Sequence, residues 1–149
     1  MSALQTYPRI TPMLWFDSNA EEAVDFYLSI FKNSRRLHEM RRDGAILTIA
    51  FELDGQKFTA LNGGPLFKFT EAISFVVRCD SQEEVDEYWT KLSAGGSGGQ
   101  CCWLKDKFGI SWQIVPARLS ELIRNPKAFQ AMLKMTKPDI AELERAAQS

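Results

Sequence analysis

Histidine is nearly absent from this chain: His38 is the sole one in 149 residues. A histidine-rich zinc centre therefore cannot be assembled from it. Cysteine is also scarce. Cys79, Cys101 and Cys102 form an odd set with two neighbours in sequence, which is a poor disulfide framework. Reduced thiols fit better, either as small core residues or as redox groups, and they point to a cytoplasmic protein. No run approaches the roughly 20 apolar residues of a membrane span, so no membrane partner is expected. The opening "MSALQTYPRITP" has no charged start followed by an apolar run, and is not expected to act as a secretory signal. Charge of one sign is missing too. The formal net charge is −1, which removes the electrostatic basis for a nucleic-acid partner.

What is present is apolar and aromatic. Hydrophobic residues make up 45% and charged residues 25%, with ten Phe and four Trp, enough for a sizeable core. The length fits a single domain. "ITPMLWF", Ile10 to Phe16, reads as a strand. Asp17, Ser18 and Asn19 offer N-cap side chains, Glu21 and Glu22 suit a first turn, and apolar residues at helical spacing predict a helix from Ala20 to Phe31. A weak strand at Arg35 to Arg41 follows, then a strong one at Ala45 to Leu53. Asp54-Gly55 is a hairpin signal, and Gln56 to Asn62 returns as the next strand.

The order then repeats. Ala72 to Cys79 reads as a strand, and Asp80 or Ser81 caps a helix through about Leu92. "SAGGSGGQ", Ser93 to Gln100, reads as flexible, with a poorly marked strand near its glycines. "CCWLKD" and "ISWQIVP" supply two more strands. Val24-Asp25-x-Tyr27 of the first helix recurs as Val85-Asp86-x-Tyr88 of the second. Capping needs alone would give both helix starts Asp, Ser and Glu. The matching order of the flanking strands favours an internal duplication instead. The predicted fold class is α+β, two tandem βαβββ modules forming an open curved sheet or half-barrel, plus C-terminal helices. Module one spans about 8–64, module two about 70–116, and the helical tail 117–149. In the tail, prolines at 126 and 138 suit first helical turns, and Phe129, Met132, Leu133 and Met135 make an apolar face.

Long ordered motifs, "ITPMLWFDSNAEEAVDFYLSIFKNS", "FELDGQKFTALNGGP", "FKFTEAISFVV" and "WLKDKFGISWQIVP", resemble the PhnB-like branch of the vicinal oxygen chelate superfamily, the glyoxalase and extradiol dioxygenase relatives. The likeness covers about Ile10 to Pro116, and the tail is similar too. It implies modules that each curl into half of an open barrel, a ligand on the concave face, and a homodimer. Many PhnB-like proteins carry the label 3-demethylubiquinone-9 3-methyltransferase. The residues do not support that chemistry, because a methyl-donor site of the usual type wants a glycine-rich turn between a strand and a helix. The glycines at 95, 96, 98 and 99 follow a helix and read as a linker.

The superfamily's metal enzymes place His, Gln or Glu on four strands. Carried over by resemblance, those positions fall on Thr11, near Ala60 with one residue of slack, on Ala72 and on Gln113. Three lack a ligand, and Gln113 alone cannot hold a cation, so no metal and no cofactor is expected. His38 lies away from these positions. Alternation puts Thr11, Met13 and Trp15, then Phe58, Ala60 and Asn62, then Ala72, Ser74 and Val76, then Ser111, Gln113 and Val115 on concave faces. The result is either an apolar, aromatic cup for a small molecule or a filled core. Asn62 and Gln113 favour the cup, since unpaired amides are costly in a closed core. "NGGPLFKF" reads as a connector or as a rim loop with Phe67 and Phe69 over the ligand. The carboxylates of Asp17, Glu21, Glu22, Glu83, Glu84 and Asp86 read as solvated helix starts.

The expected ligand-binding residues are thus Trp15, Phe58, Asn62, Phe67, Ser74 and Gln113, with no catalytic residue assigned. Two functions follow. One is a non-metal binder of a small apolar or aromatic molecule. The other is a metal-dependent glyoxalase- or dioxygenase-type enzyme with a displaced ligand set.

Overall fold

The structure is a computed structural model that describes residues 7–149. The chain divides into two compact units, Met1–Lys68 and Phe69–Ser149. In the first, β1 (Met13–Phe16), α1 (Ala20–Ile30), β2 (Ser34–Arg42), β3 (Ala45–Leu53) and β4 (Gln56–Asn62) form a four-stranded sheet of order β1-β4-β3-β2. β1 runs parallel to β4, whereas β2, β3 and β4 form an antiparallel meander. In the second, β5 (Ser74–Cys79), α2 (Gln82–Ser93), β6 (Ser97–Gly98), β7 (Trp103–Lys105) and β8 (Ser111–Pro116) repeat the pattern with the order β5-β8-β7-β6. Again the first and last strands are parallel and the rest antiparallel. Two open sheets of identical strand order are the tandem βαβββ arrangement expected. No helix among the described residues is long and apolar enough to cross a membrane.

Local sequence explains these elements. Asp54 and Gly55 take left-handed backbone (φ 48° and 87°), and Asp43 and Gly44 do the same (φ 53° and 80°). Both pairs make the tight primed turns that close hairpins with the right twist. β2 is longer than expected and carries two register shifts. None of its residues is fully buried, which is why its strand pattern is faint.

The two helices begin differently. At α2, Ser81 Oγ accepts from Glu84 N–H at 3.2 Å, while Glu84 Oε1 accepts from Asp80 N–H at 2.8 Å. This reciprocal pairing satisfies two exposed amides. At α1 the expected caps are unused: Asn19 makes no capping bond. Asn62, at the end of β4, supplies the acceptor for Ala20 N–H at 2.9 Å.

The glycine stretch is a correction. It is close-packed rather than a flexible linker. A Cβ on Gly96 would collide with the Lys105 carbonyl, one on Gly98 would sit 3.0 Å from the Trp89 ring, and one on Gly99 3.1 Å from Trp103 O. Only glycine lets these backbones meet.

The tail forms α3 (Leu119–Leu122), α4 (Pro126–Leu133) and α5 (Ile140–Gln148). Leu119, Leu122, Met135, Leu143 and Cys102 share one core cluster, against which Met132 also packs. Pro126 occupies the first turn of α4, whereas Pro138 precedes the Asp139 cap of α5. Gln82 anchors the α5 entry, accepting from Ile140 N–H at 2.9 Å and donating to Pro138 O at 3.0 Å.

Candidate functional site

Each sheet has one face under its helix and one open face. In the first unit the helix side is set by register. Leu14 pairs with Ala60, Phe16 with Asn62, Ile49 with Ala60 and Phe51 with Phe58. These side chains meet Ala23, Val24 and Tyr27 of α1, and all but Asn62 are buried. Arg36, on the same face, reaches α1 through Asp25 at 2.7 Å and Glu21 at 3.1 Å. The opposite face carries Met13, Trp15, Thr48, Thr59 and Leu61.

This register corrects the alternation expected for β4. Trp15 lies opposite Leu61, so Phe58 and Asn62 sit on the other face. Phe58 is 4% exposed and stacks on Phe51 at 5.3 Å, as core. Both ends of the Asn62 amide are used within the fold: Oδ1 by Ala20 N–H, and Nδ2 by the Ile46 carbonyl at 3.1 Å. An amide satisfied twice by backbone no longer requires a ligand to justify its partial burial.

Trp15 and Phe67 do come together. The Trp15 indole N–H donates to Gly64 O at 2.9 Å, and Phe67 meets the indole edge-on at 4.9 Å between ring centroids. Gly63 lies flat against the ring: a Cβ there would fall 2.5 Å from Trp15 Cζ2 and 2.7 Å from Cδ2. Gly64, at φ 93°, turns the chain back over the open face. The indole is therefore half-buried with its polar atom satisfied, while Phe67 remains 59% exposed and Met13 58% exposed. A fixed aromatic ring beside exposed apolar side chains can take up a flat apolar molecule without reorganising itself.

The sequence reading missed Tyr7 and His38 on this face. His38 pairs in register with Ala50, which pairs with Thr59, so its ring belongs to the open side. The Tyr7 ring packs edge-on to it at 6.0 Å, with Lys57 Nζ 5.2 Å from the Tyr7 centroid. Among the described residues the buried Tyr7 hydroxyl has no hydrogen-bond partner, and burial raises its pKa above the ordinary 10.0. Alternation within β2 could not find His38, because the register shifts change its phase.

In the second unit the helix side holds Leu104 and Trp112, paired in register, with Gly98 under Trp89 of α2. Ser74, Val76, Ser111, Gln113, Trp103 and Lys105 share the open face, as expected for Ser74 and Gln113. Gln113 Nε2 donates to Ser74 Oγ at 3.0 Å. Ser111 is 1% exposed, and among the described residues its Oγ has no hydrogen-bond partner. Lys105 is tied to Glu71, whose carboxyl pKa is lowered mainly by that hydrogen bond. Asp106 is buried, yet its carboxylate accepts from Phe108 N–H, Ile110 N–H and the Trp112 indole N–H, which fixes the β7–β8 turn.

The positions expected to correspond to a metal set do not form one. Thr11 donates to Pro8 O, Ala60 is buried on the helix side, Ala72 precedes β5, and Gln113 is engaged with Ser74. Among the described residues no three His, Cys, Asp or Glu side chains are grouped to hold an ion. The donor set does not fit a divalent cation.

The family model described as 3-demethylubiquinone-9 3-methyltransferase matches residues 8–115, both sheets together. The chain belongs to this PhnB-like family of the vicinal oxygen chelate superfamily. A PhnB protein from Bacillus cereus is 33% identical, over 74% of this chain and 100% of that one, with a TM-score of 0.69. Two further solved structures share the PhnB-like chain's fold at lower identity. A Mn(II)- and sulfate-bound fosfomycin resistance protein from Listeria monocytogenes is 18% identical, over 83% and 98% of the chains, with a TM-score of 0.57. A glyoxylase/bleomycin resistance protein/dioxygenase domain from Frankia sp. EAN1pec is 17% identical, over 74% and 93%, with a TM-score of 0.52. No curated protein matches the chain.

Proposed function

We propose that this PhnB-like protein binds a small apolar or aromatic molecule on the open face of its first sheet, without a metal. The Trp15–Phe67 pair, clasped by Gly63 and Gly64, carries the reading. It provides a rigid aromatic wall whose polar atom already has a partner, so ligand affinity there comes from apolar burial. Covering about 60 Å² of indole at about 25 cal/mol per Å² contributes about 1.5 kcal/mol, roughly tenfold in affinity. The glycine run is closed by packing against Lys105, Trp89 and Trp103, so its backbone is not free to cradle a methyl donor's ribose. That argues against reading the family's methyltransferase label as an activity.

The second reading is a metal-dependent enzyme of the glyoxalase or dioxygenase type. His38 on the open face is the observation in its favour, though among the described residues it belongs to no group of three His, Cys, Asp or Glu side chains. We also place the protein in the cytoplasm, which suits three free thiols, and as a homodimer. Exposed Phe129 and Leu133 of α4 give a second copy apolar surface to cover.

Titration of metal-stripped protein with 1-naphthol by calorimetry tests the binding reading. Trp15→Ala is expected to weaken binding more than Thr48→Ala on the same face, because it removes more contact area. Equal effects, or binding that appears only after zinc, nickel, iron or manganese is restored, would overturn it.

A further inference from the structure

A cleft of about 610 Å³ lies on the first unit between the start of α1 and the tip of the β2–β3 hairpin. Its walls carry Asp17, Ser18 and Glu21 on one side and Arg41, Arg42 and Asp43 on the other, with Asn62 between them. The open-face reading above makes no use of it, and it stands or falls independently. Its size suits a small metabolite, and its charges decide which kind.

Two of those charges are already engaged. Glu21 is held by Arg36 at 3.1 Å, and Arg41 leans on Glu39 at 3.4 Å. Among the described residues, the side chains of Asp17, Ser18, Arg42 and Asp43 have no hydrogen-bond or ion-pair partner. One guanidinium, two carboxylates and a hydroxyl are therefore left facing one space. The hairpin fixes two of them: Asp43 and Gly44 form its turn in left-handed backbone, so Arg42 and Asp43 leave adjacent positions of a tight corner. The Asn62 amide holds the other wall, by joining the first residue of α1 to β3.

We infer that the cleft binds a small cationic amino acid, one carboxylate and two ammonium groups, with the carboxylate on Arg42 and the ammonium groups on Asp17 and Asp43. A guanidinium meets a carboxylate through two parallel hydrogen bonds, whereas an ammonium suits a single carboxylate oxygen. An anion alone would face two uncompensated carboxylates, and a diamine alone would leave Arg42 unpaired. The matching ligand has both signs, with one excess positive charge. The groups are exposed, so each contributes little and the affinity falls in the millimolar range.

Titrating the full, isotope-labelled chain with L-lysine and following backbone amide resonances tests this. Saturable shifts are expected at Asp17–Glu22 and Arg42–Ala45, with acetate and 1,5-diaminopentane at least about tenfold weaker. Arg42→Gln should abolish the preference for lysine over diaminopentane, and Asp43→Asn, which keeps the turn, should weaken lysine. Unchanged resonances elsewhere in both variants show that the fold is intact. No saturable shift with lysine overturns the inference. So does equal binding of diaminopentane, which would mean an acidic patch, or equal binding of acetate, which would mean an anion site.

Discussion

Gly63→Ala is the sharpest single perturbation of the aromatic wall. The added methyl would sit 2.5 Å from Trp15 Cζ2 and 2.7 Å from Cδ2, distances that real Cβ atoms do not hold. The backbone at Gly63 is not left-handed, so in the folded state the substitution strains no dihedral and acts through space. Either the indole leaves its rotamer or the loop lifts away. Overpacking of this kind costs about 1–3 kcal/mol. Lifting the loop also breaks the indole N–H bond to Gly64 O, 2.9 Å long, for about 1 kcal/mol more. The methyl restricts the unfolded chain and returns about 0.4–1 kcal/mol. The net loss is about 2 kcal/mol, or a fall in Tm of about 4–8 °C for a chain this long. Urea unfolding of wild type, Gly63→Ala, Trp15→Leu and the double variant measures it. In the Trp15→Leu background the ring is gone, and Gly63→Ala should cost no more than about 0.5 kcal/mol. An equal cost in both backgrounds would refute the reasoning, because the alanine would then not be acting on the indole.

The remaining predictions concern the supports of the fold. Asn62→Ala removes the acceptor for Ala20 N–H and the donor to Ile46 O, and should lower stability by about 2–3 kcal/mol in urea unfolding; under about 0.5 would mean that neither bond matters. Burial pushes the Cys79 thiol up to about 12 and the Cys102 thiol up to about 11, from an ordinary 9.0. The unfolded chain then releases these protons first, so this stabilisation is complete below pH 9.0 and is lost as pH rises toward about 11 to 12. Cys79→Ala with Cys102→Ala should flatten that alkaline loss, and an unchanged slope would assign it to other groups.

Much of the fold was legible in the sequence. Ala45–Leu53 and Gln56–Asn62 fall where a strong apolar run and the Asp54-Gly55 hairpin signal place them. The repeated helix starts mark α1 and α2, because capping and amphipathic spacing are local signals. The site was less legible. Of the residues named for the cup, Trp15 and Phe67 are in contact, whereas Phe58 and Asn62 were set on the wrong face. Alternation gives the two faces of a strand, and only pairing gives the phase between strands. A signal was there in β4: Lys57, Thr59 and Leu61 alternate with Phe58 and Ala60, and the more uniformly apolar set belongs under a helix. The glycine stretch misled for another reason. Composition cannot distinguish glycines that permit motion from glycines that permit close approach, and Gly96 and Gly98 are of the second kind. His38 was hidden by the register shifts of β2.

The claim that an aromatic wall at Trp15 receives the ligand is tested most directly by its own indole N–H resonance. Metal-stripped, isotope-labelled protein is titrated with 1-naphthol, and Trp15 is assigned by comparison with Trp15→Leu. The Trp15 resonance should shift saturably, tracking the calorimetric isotherm, while that of Trp112, whose indole is held by Asp106 on the helix side of the second sheet, stays fixed. A Trp15 resonance that does not move while 1-naphthol binds, or that moves only when a divalent metal is added, would contradict it.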